Sequence, residues 1–178
     1  MYRKIKLTRE EYLLARFFGI VRNTFNQKKH KKDSKISPES SETIDIRGMF
    51  GEVAGAKWLG LEPDFSIDPR KPHDDTPDLI LPNGERIDCK TSKVRNPDLK
   101  TQPWKLQEKR VDWFMQFQWE KGDVVFYEGM ARFEDLKAAP TKLYEWKTGS
   151  QRSHYLTHDQ LTLYEWTEHG LQVCKNKP

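Results

Sequence analysis

Pro77-Asp78-Leu79-Ile80-Leu81-Pro82-Asn83-Gly84-Glu85-Arg86-Ile87-Asp88-Cys89-Lys90-Thr91-Ser92 reads as a β-hairpin: a short apolar run, a turn signal, and a second run in which side chains alternate between faces. On the second strand Arg86, Asp88, Lys90 and Ser92 share one face, and Ile87, Cys89 and Thr91 the other. Loop length decides where Asp78 falls, because a one-residue slip carries every side chain to the opposite face. A two-residue Asn83-Gly84 loop sets Asp78 against Cys89. A three-residue Pro82-Asn83-Gly84 loop, a type I turn closed by a left-handed residue, sets it against Asp88. Proline first and glycine third suit the longer loop, so Asp78 and Asp88 are expected opposite one another with Lys90 beside them. Facing carboxylates repel unless a proton or a divalent cation lies between them. Mg²⁺ is the natural occupant, with the main-chain carbonyl of Cys89 placed to help, since it takes carboxylate, carbonyl and water oxygens and accepts phosphate as a further ligand. Lys90 there is suited to orient or deprotonate a water, or to offset charge building on phosphorus.

Upstream, the sequence predicts a helix from Thr43 to Leu59, capped by Gly60. Gly48, Gly51 and Gly55 inside it cost ~1 kcal/mol each in a helix interior, and such glycines let a helix lie close against a sheet. Glu52 falls on the same side as Gly48, Gly55 and Ala56 and is placed to complete the metal shell.

Together Gly48-Met49-Phe50-Gly51-Glu52-Val53-Ala54, Pro77-Asp78 and Asp88-Cys89-Lys90 resemble the PD-(D/E)XK nuclease superfamily over about residues 43–128, most closely its small phage-type members. Pro63-Asp64 and Pro97-Asp98 compete for the first motif, but only Pro77-Asp78 directly precedes an apolar strand and a turn leading to D-x-K. The resemblance implies an α/β (α+β) fold with a restriction-endonuclease-like core, a mixed central β-sheet flanked by helices in the order α-β-β-β-α-β. It also implies that Asp78 and Asp88 bind Mg²⁺, with Mn²⁺ substituting, that Lys90 activates the attacking water, and that Glu52 completes the site. Asp88 departs from the commoner glutamate. The activity implied is metal-dependent hydrolysis of DNA phosphodiester bonds, as an endonuclease of phage type or an exonuclease. The alternative is a non-cutting module on the same fold that binds DNA or a host protein. A homodimer would suit cutting of both strands.

Composition sets the frame for these motifs. A chain of 178 residues is read as a single domain burying roughly two-thirds of its unfolded surface. Its mean hydropathy of −0.90, with 33% charged residues, excludes a run of the ~20 apolar residues a membrane helix needs. The basic start, Met1 to Lys6, leads into a charged amphipathic segment rather than an apolar core with a cleavage site, so no secretory signal is read. Cys89 and Cys174 are the two cysteines, which excludes a disulfide scaffold and a four-cysteine zinc site and fits a reducing cytoplasm, the host's if the chain is phage-encoded. Charge is segregated: residues 36–89 carry five Lys and Arg against twelve Asp and Glu, whereas 90–110 carry seven against two. An acidic block beside basic ones suits carboxylates that hold a cation and lysines that hold a polyanion. Lys93, Arg95, Lys100, Lys105 and Lys109, in a proline-punctuated loop with Trp104, are the expected nucleic-acid contacts, Trp104 stacking on a base or anchoring the loop.

The remaining segments divide into an N-terminal helical extension (1–27), a basic linker (28–42), the catalytic core (43–140) and an aromatic-rich C-terminal extension (141–178). Thr8 and Glu11 form a capping box that starts a helix at Arg9, with Leu14, Phe17, Phe18, Val21 and Phe25 as its packing stripe. Strands are expected at Val111–Trp119 and Val124–Tyr127, a short helix from Phe133 to Ala139 stopped by Pro140, and a further short helix near the C-terminus opened by a capping box at Thr157 and Gln160. His154 and His158 lack the glutamate of a zinc protease and are read as surface or packing residues, and His73 as part of a solvated loop.

Overall fold

The hairpin forms with the three-residue loop. In the computed structural model, which describes residues 3–28, 39–65, 77–107, 110–146 and 149–174, strands β2 (Leu79–Ile80) and β3 (Arg86–Ser92) pair antiparallel, Leu79 opposite Ile87 and Ile80 opposite Arg86. The Gly84 N–H donates to the Leu81 carbonyl at 2.8 Å, and Gly84 takes φ +87°, the left-handed geometry that such a loop needs at its third position. One expectation is corrected. The ladder stops at Leu79, because Pro77 has no N–H to extend it, so Asp78 lies outside the ladder rather than paired with Asp88. Its N–H goes to the Ile87 carbonyl at 3.0 Å and its carboxylate accepts the Cys89 N–H at 2.6 Å.

β3 runs parallel to β5 (Trp113–Gln118), β5 antiparallel to β6 (Val124–Arg132), and β6 antiparallel to β1 (Arg3–Lys6), giving a mixed five-stranded sheet in the order β1-β6-β5-β3-β2. Both aromatic runs are strands as expected, the second five residues longer. β1 carries Ile5 as its only buried side chain, too little alternation for sequence reading to see. Between the parallel neighbours β3 and β5 the described residues hold β4 (Leu99–Thr101) and a 3₁₀ turn (Pro103–Leu106) but no α-helix. The fold is therefore mixed α+β, and its element order at this crossover differs from α-β-β-β-α-β.

Helix α1 (Arg9–Lys28) opens on the expected capping box: the Thr8 N–H donates to Glu11 Oε2 at 2.6 Å and the Glu11 N–H to Thr8 Oγ1 at 3.1 Å. Helix α2 (Ser41–Leu59) starts two residues before the expected Thr43, because Ser40 caps it by accepting the Thr43 N–H, and it ends at Gly60 with φ +69°. The packing stripe of α1 is corrected at Phe17, whereas Leu14, Phe18, Val21 and Phe25 are partly buried and Phe18 packs against the core. Phe17 is 58% exposed, and the buried line is Ala15, Gly19 and Asn23. Backbone proximity is part of the cause: a Cβ on Gly19 would lie 2.5 Å from Ile46 Cα, so the helices approach closely at Gly19, with Tyr12 packing on Phe50 of α2 further along.

α2 in turn lies on the Cys89 and Thr91 face of the sheet. A Cβ on Gly51 would meet Thr91 Oγ1 at 1.9 Å, and one on Gly55 would meet Leu79 at 3.0 Å and Cys89 Sγ at 3.3 Å. These are the close contacts the glycines were expected to allow. The other face of the sheet meets a second cluster, in which Phe114 packs with Leu99, Leu106, Phe133, Leu136, Leu156 and Leu161. That cluster is built from α3 (Phe133–Ala138) and a three-stranded sheet in which β8 (Gly149–Leu156) lies between β4 and β7 (Thr141–Trp146). The last strands, β9 (Tyr164–Thr167) and β10 (Gly170–Val173), return to the first core, where Leu163 and Cys174 are buried and the Trp58 indole donates to the Tyr164 carbonyl at 2.7 Å. Among the described residues no helix is long and apolar enough to cross a membrane.

Candidate functional site

With Cys89 and Thr91 turned to α2, alternation along β3 sends Asp88 and Lys90 to the opposite face, beside Phe114 and Gln116 of β5. The Lys90 ammonium pairs there with Asp88 Oδ2. Asp78, just beyond the end of β2, hangs on the Cys89 N–H. Glu52 comes from α2, with its side chain only 9% exposed, and is gripped by a residue the sequence reading did not single out. Arg22 of α1 donates Nη1 to Glu52 Oε1 at 2.5 Å and Nη2 to Oε2 at 2.8 Å. No motif marks Arg22. Its one signal is position, three residues after Gly19 and so on the side of α1 that meets α2.

Charge binds these residues into one site. Burial, then Glu52 and Asp88, push the Asp78 carboxyl well above the usual carboxylate range, against the opposing pull of Lys90 and the Cys89 N–H. Burial alone would lower the Lys90 ammonium, but Asp88 and Asp78 outweigh it and hold Lys90 charged beyond its ordinary range. Burial and the three carboxylates push the Cys89 thiol up, so it packs as an inert small side chain, as expected of a residue facing the helix.

Carboxylate oxygens in a partly buried, mutually repelling set are the donors a hard cation takes. Among the described residues, however, no three His, Cys, Asp or Glu groups converge as a preformed metal cage. Arg22 pairs with Glu52 and Lys90 with Asp88, so the protein's own cations answer part of the repulsion. The donor set fits Mg²⁺ in kind, provided Glu52 and Asp88 can leave those partners.

A pH dependence follows for the metal-free protein. The native pKa of Asp78 is raised above its unfolded value of about 3.9. Between those two values the native state binds more protons than the unfolded chain, so this group's contribution to stability falls as pH rises. Asp78→Asn removes that fall and still accepts the Cys89 N–H. Thermal melts in chelator from about pH 4 to 8 are expected to show the variant gaining on the wild type as pH rises; a difference that does not change with pH would refute the assignment.

The expected nucleic-acid contacts do not form one loop. Lys93 pairs with Glu39 at 3.1 Å, and Arg47 reaches the same carboxylate at 2.7 Å. Arg95 is exposed. Lys100 sits on β4 with its ammonium 4.0 Å from the centre of the Tyr144 ring. Trp104 is 50% exposed in the 3₁₀ turn with Lys105 beside its ring, while the turn is anchored by buried Leu106. Lys109 lies outside the described residues, as do His73 and most of the basic linker. His154 and His158 turn to different partners: His154 Nδ1 lies 2.9 Å from the Ala139 carbonyl, and His158 Nε2 2.9 Å from Glu128, whose buried carboxyl is raised by desolvation and held down in part by His158. Neither is at the Asp88 site.

No family model matches the chain, and comparison with curated proteins and with solved structures finds no significant match.

Proposed function

We propose that the protein is a metal-dependent nuclease that hydrolyses DNA phosphodiester bonds on a restriction-endonuclease-like core of the PD-(D/E)XK type, most simply as an endonuclease. The observation that carries the reading is the pairing of Lys90 with Asp88 beside Asp78, whose carboxylate accepts the Cys89 N–H at 2.6 Å, with Glu52 of α2 near enough to add to the charge that pushes the Asp78 carboxyl up. In this reading Asp78, Asp88 and Glu52 hold Mg²⁺ or Mn²⁺, with the Cys89 carbonyl as a further oxygen. The bound ion supplies charge neutralisation at the phosphate and a more acidic water. Lys90 positions that water and offsets charge on the phosphoryl oxygens. In the same reading Lys93, Arg95, Lys100, Lys105 and Lys109 supply phosphate contact and Trp104 a stacking surface.

A non-cutting DNA- or host-protein-binding module is the second reading, favoured by one observation: the Arg22–Glu52 and Lys90–Asp88 pairs satisfy these charges without any metal. Supercoiled plasmid with Mg²⁺ separates the two. The nuclease converts it to nicked or linear form, chelator stops the reaction, and Asp88→Ala abolishes it. Equal conversion by wild type and Asp88→Ala would sink the proposal, and plasmid that is shifted but not cut would point to the binding module.

A further inference from the structure

The Arg22–Glu52 pair is the best-formed ion pair at the site and the one no motif predicts. Both carboxylate oxygens are engaged by both terminal guanidinium nitrogens, the two-pronged geometry in which arginine binds carboxylate or phosphate. Its members differ in access. The Arg22 side chain is 20% exposed against 9% for Glu52, so the arginine is the more accessible member of the pair. Arg22 is also under-satisfied where it sits, since its buried Nε–H has no acceptor. Asp78 and Asp45 act on the same guanidinium from a distance, so it faces a field of carboxylates with Glu52 as its direct partner. Asp45 accepts from Asn23 at 2.9 Å and from Asn26 at 3.4 Å, both at Oδ2. One turn before Arg22, a Cβ on Gly19 would lie 2.5 Å from Ile46 Cα, so the two helices are in close contact there.

We propose that Arg22 gates Glu52: the guanidinium holds the carboxylate in the absence of substrate, and a nucleic-acid phosphate that takes the guanidinium frees Glu52 to join Asp78 and Asp88 around a divalent cation. The gate rests on the reading in which those three carboxylates hold metal. Its consequence is reciprocal, because a ligand that strengthens metal binding is itself bound more tightly when metal is present. Metal and nucleic acid then assemble together, and the free protein holds metal weakly.

Calorimetric titration of Mn²⁺ into the full chain tests this, with and without a short phosphorothioate-backbone duplex and with thermal melts to establish that each variant is folded. Without duplex, Arg22→Gln is expected to bind Mn²⁺ about fivefold or more tightly than wild type, the lower end of ordinary coupling between sites. The gain is expected to vanish in Arg22→Gln/Glu52→Gln, where two amides replace the ion pair. Added duplex is expected to tighten Mn²⁺ binding by wild type and to do so less in Glu52→Gln, a comparison that decides the matter even if Arg22→Gln does not fold. Unchanged or weaker Mn²⁺ binding by folded Arg22→Gln, or equal tightening by duplex in wild type and Glu52→Gln, overturns the gate while Mn²⁺ binding that Asp78→Asn abolishes keeps the metal site. No Mn²⁺ bound by any variant, with or without duplex, removes the metal site and the gate together.

Discussion

Lys90→Ala is expected to lower metal-dependent plasmid cleavage by about 10²–10⁴-fold, the range for loss of a group that handles a proton or developing charge in the transition state. The geometry makes a further demand. Lys90 is the direct partner of Asp88 and opposes the repulsion at Asp78, so removing it leaves the carboxylates less neutralised and more ready to take a cation. Mn²⁺ affinity of Lys90→Ala is therefore expected to equal or exceed that of wild type while single-turnover cleavage collapses. That split separates a residue acting on water and phosphate from one that merely keeps the site in shape. Lys90→Arg preserves the charge but widens the head group and is expected to fall between wild type and alanine. If the rate lost in Lys90→Ala is matched by lost Mn²⁺ affinity, the role assigned to Lys90 is wrong.

Gly51→Ala is expected to produce the largest loss of stability among single methyl additions to α2. The added Cβ would lie 1.9 Å from Thr91 Oγ1, 3.2 Å from Thr91 Cβ and 3.4 Å from Phe117, and all of these sit on the packed face between helix and sheet. Alanine is otherwise the better helix former by ~1 kcal/mol, so the outcome measures sterics against propensity. Overpacking of a closed core costs about 1–3 kcal/mol, and a contact this short belongs at or above the upper end. For a chain of this size that corresponds to a fall in melting temperature of roughly 5 °C or more. Thr91→Ala relieves the worst overlap and loses little, since Thr91 Oγ1 is buried without a hydrogen-bond partner. The double variant Gly51→Ala/Thr91→Ala is expected to recover part of the loss, and additive melting shifts would show that Thr91 is not what Gly51 avoids. By contrast, a methyl on Gly48 meets nothing nearer than Glu52 Oε1 at 3.9 Å and is expected to be tolerated.

Local signals were legible where one element carries all of its own information. The Pro82-Asn83-Gly84 loop set the hairpin register, the Thr8–Glu11 and Thr157–Gln160 boxes formed, Gly60 closed its helix, and the glycines of α2 announced a close approach to a sheet. What stayed hidden depends on partners distant in sequence. β1 exists because β6 offers a free edge to Arg3–Lys6, not because four residues with one apolar side chain prefer to be extended. Phe17 looked like core by spacing, yet the close approach of Gly19 to Ile46 helps to turn it outward. Alternation placed Asp88 and Lys90 together, but Asp78 escaped the rule one residue beyond the ladder, where its carboxylate found a backbone N–H instead of a cross-strand neighbour. Arg22 was the plainest omission: its role is set by a partner thirty positions away, and periodicity carries no trace of that pairing.

The ends of the five-stranded sheet bear on how copies of the protein could associate. On one side the outermost strand, β1, points Lys4 and Lys6 into solvent, so a second strand laid against it would bring like charges together. On the other side β2 offers two residues bounded by prolines at 77 and 82, too short a template for main-chain pairing. Among the described residues, continuation of this five-stranded sheet from one molecule into the next is thus disfavoured at both margins.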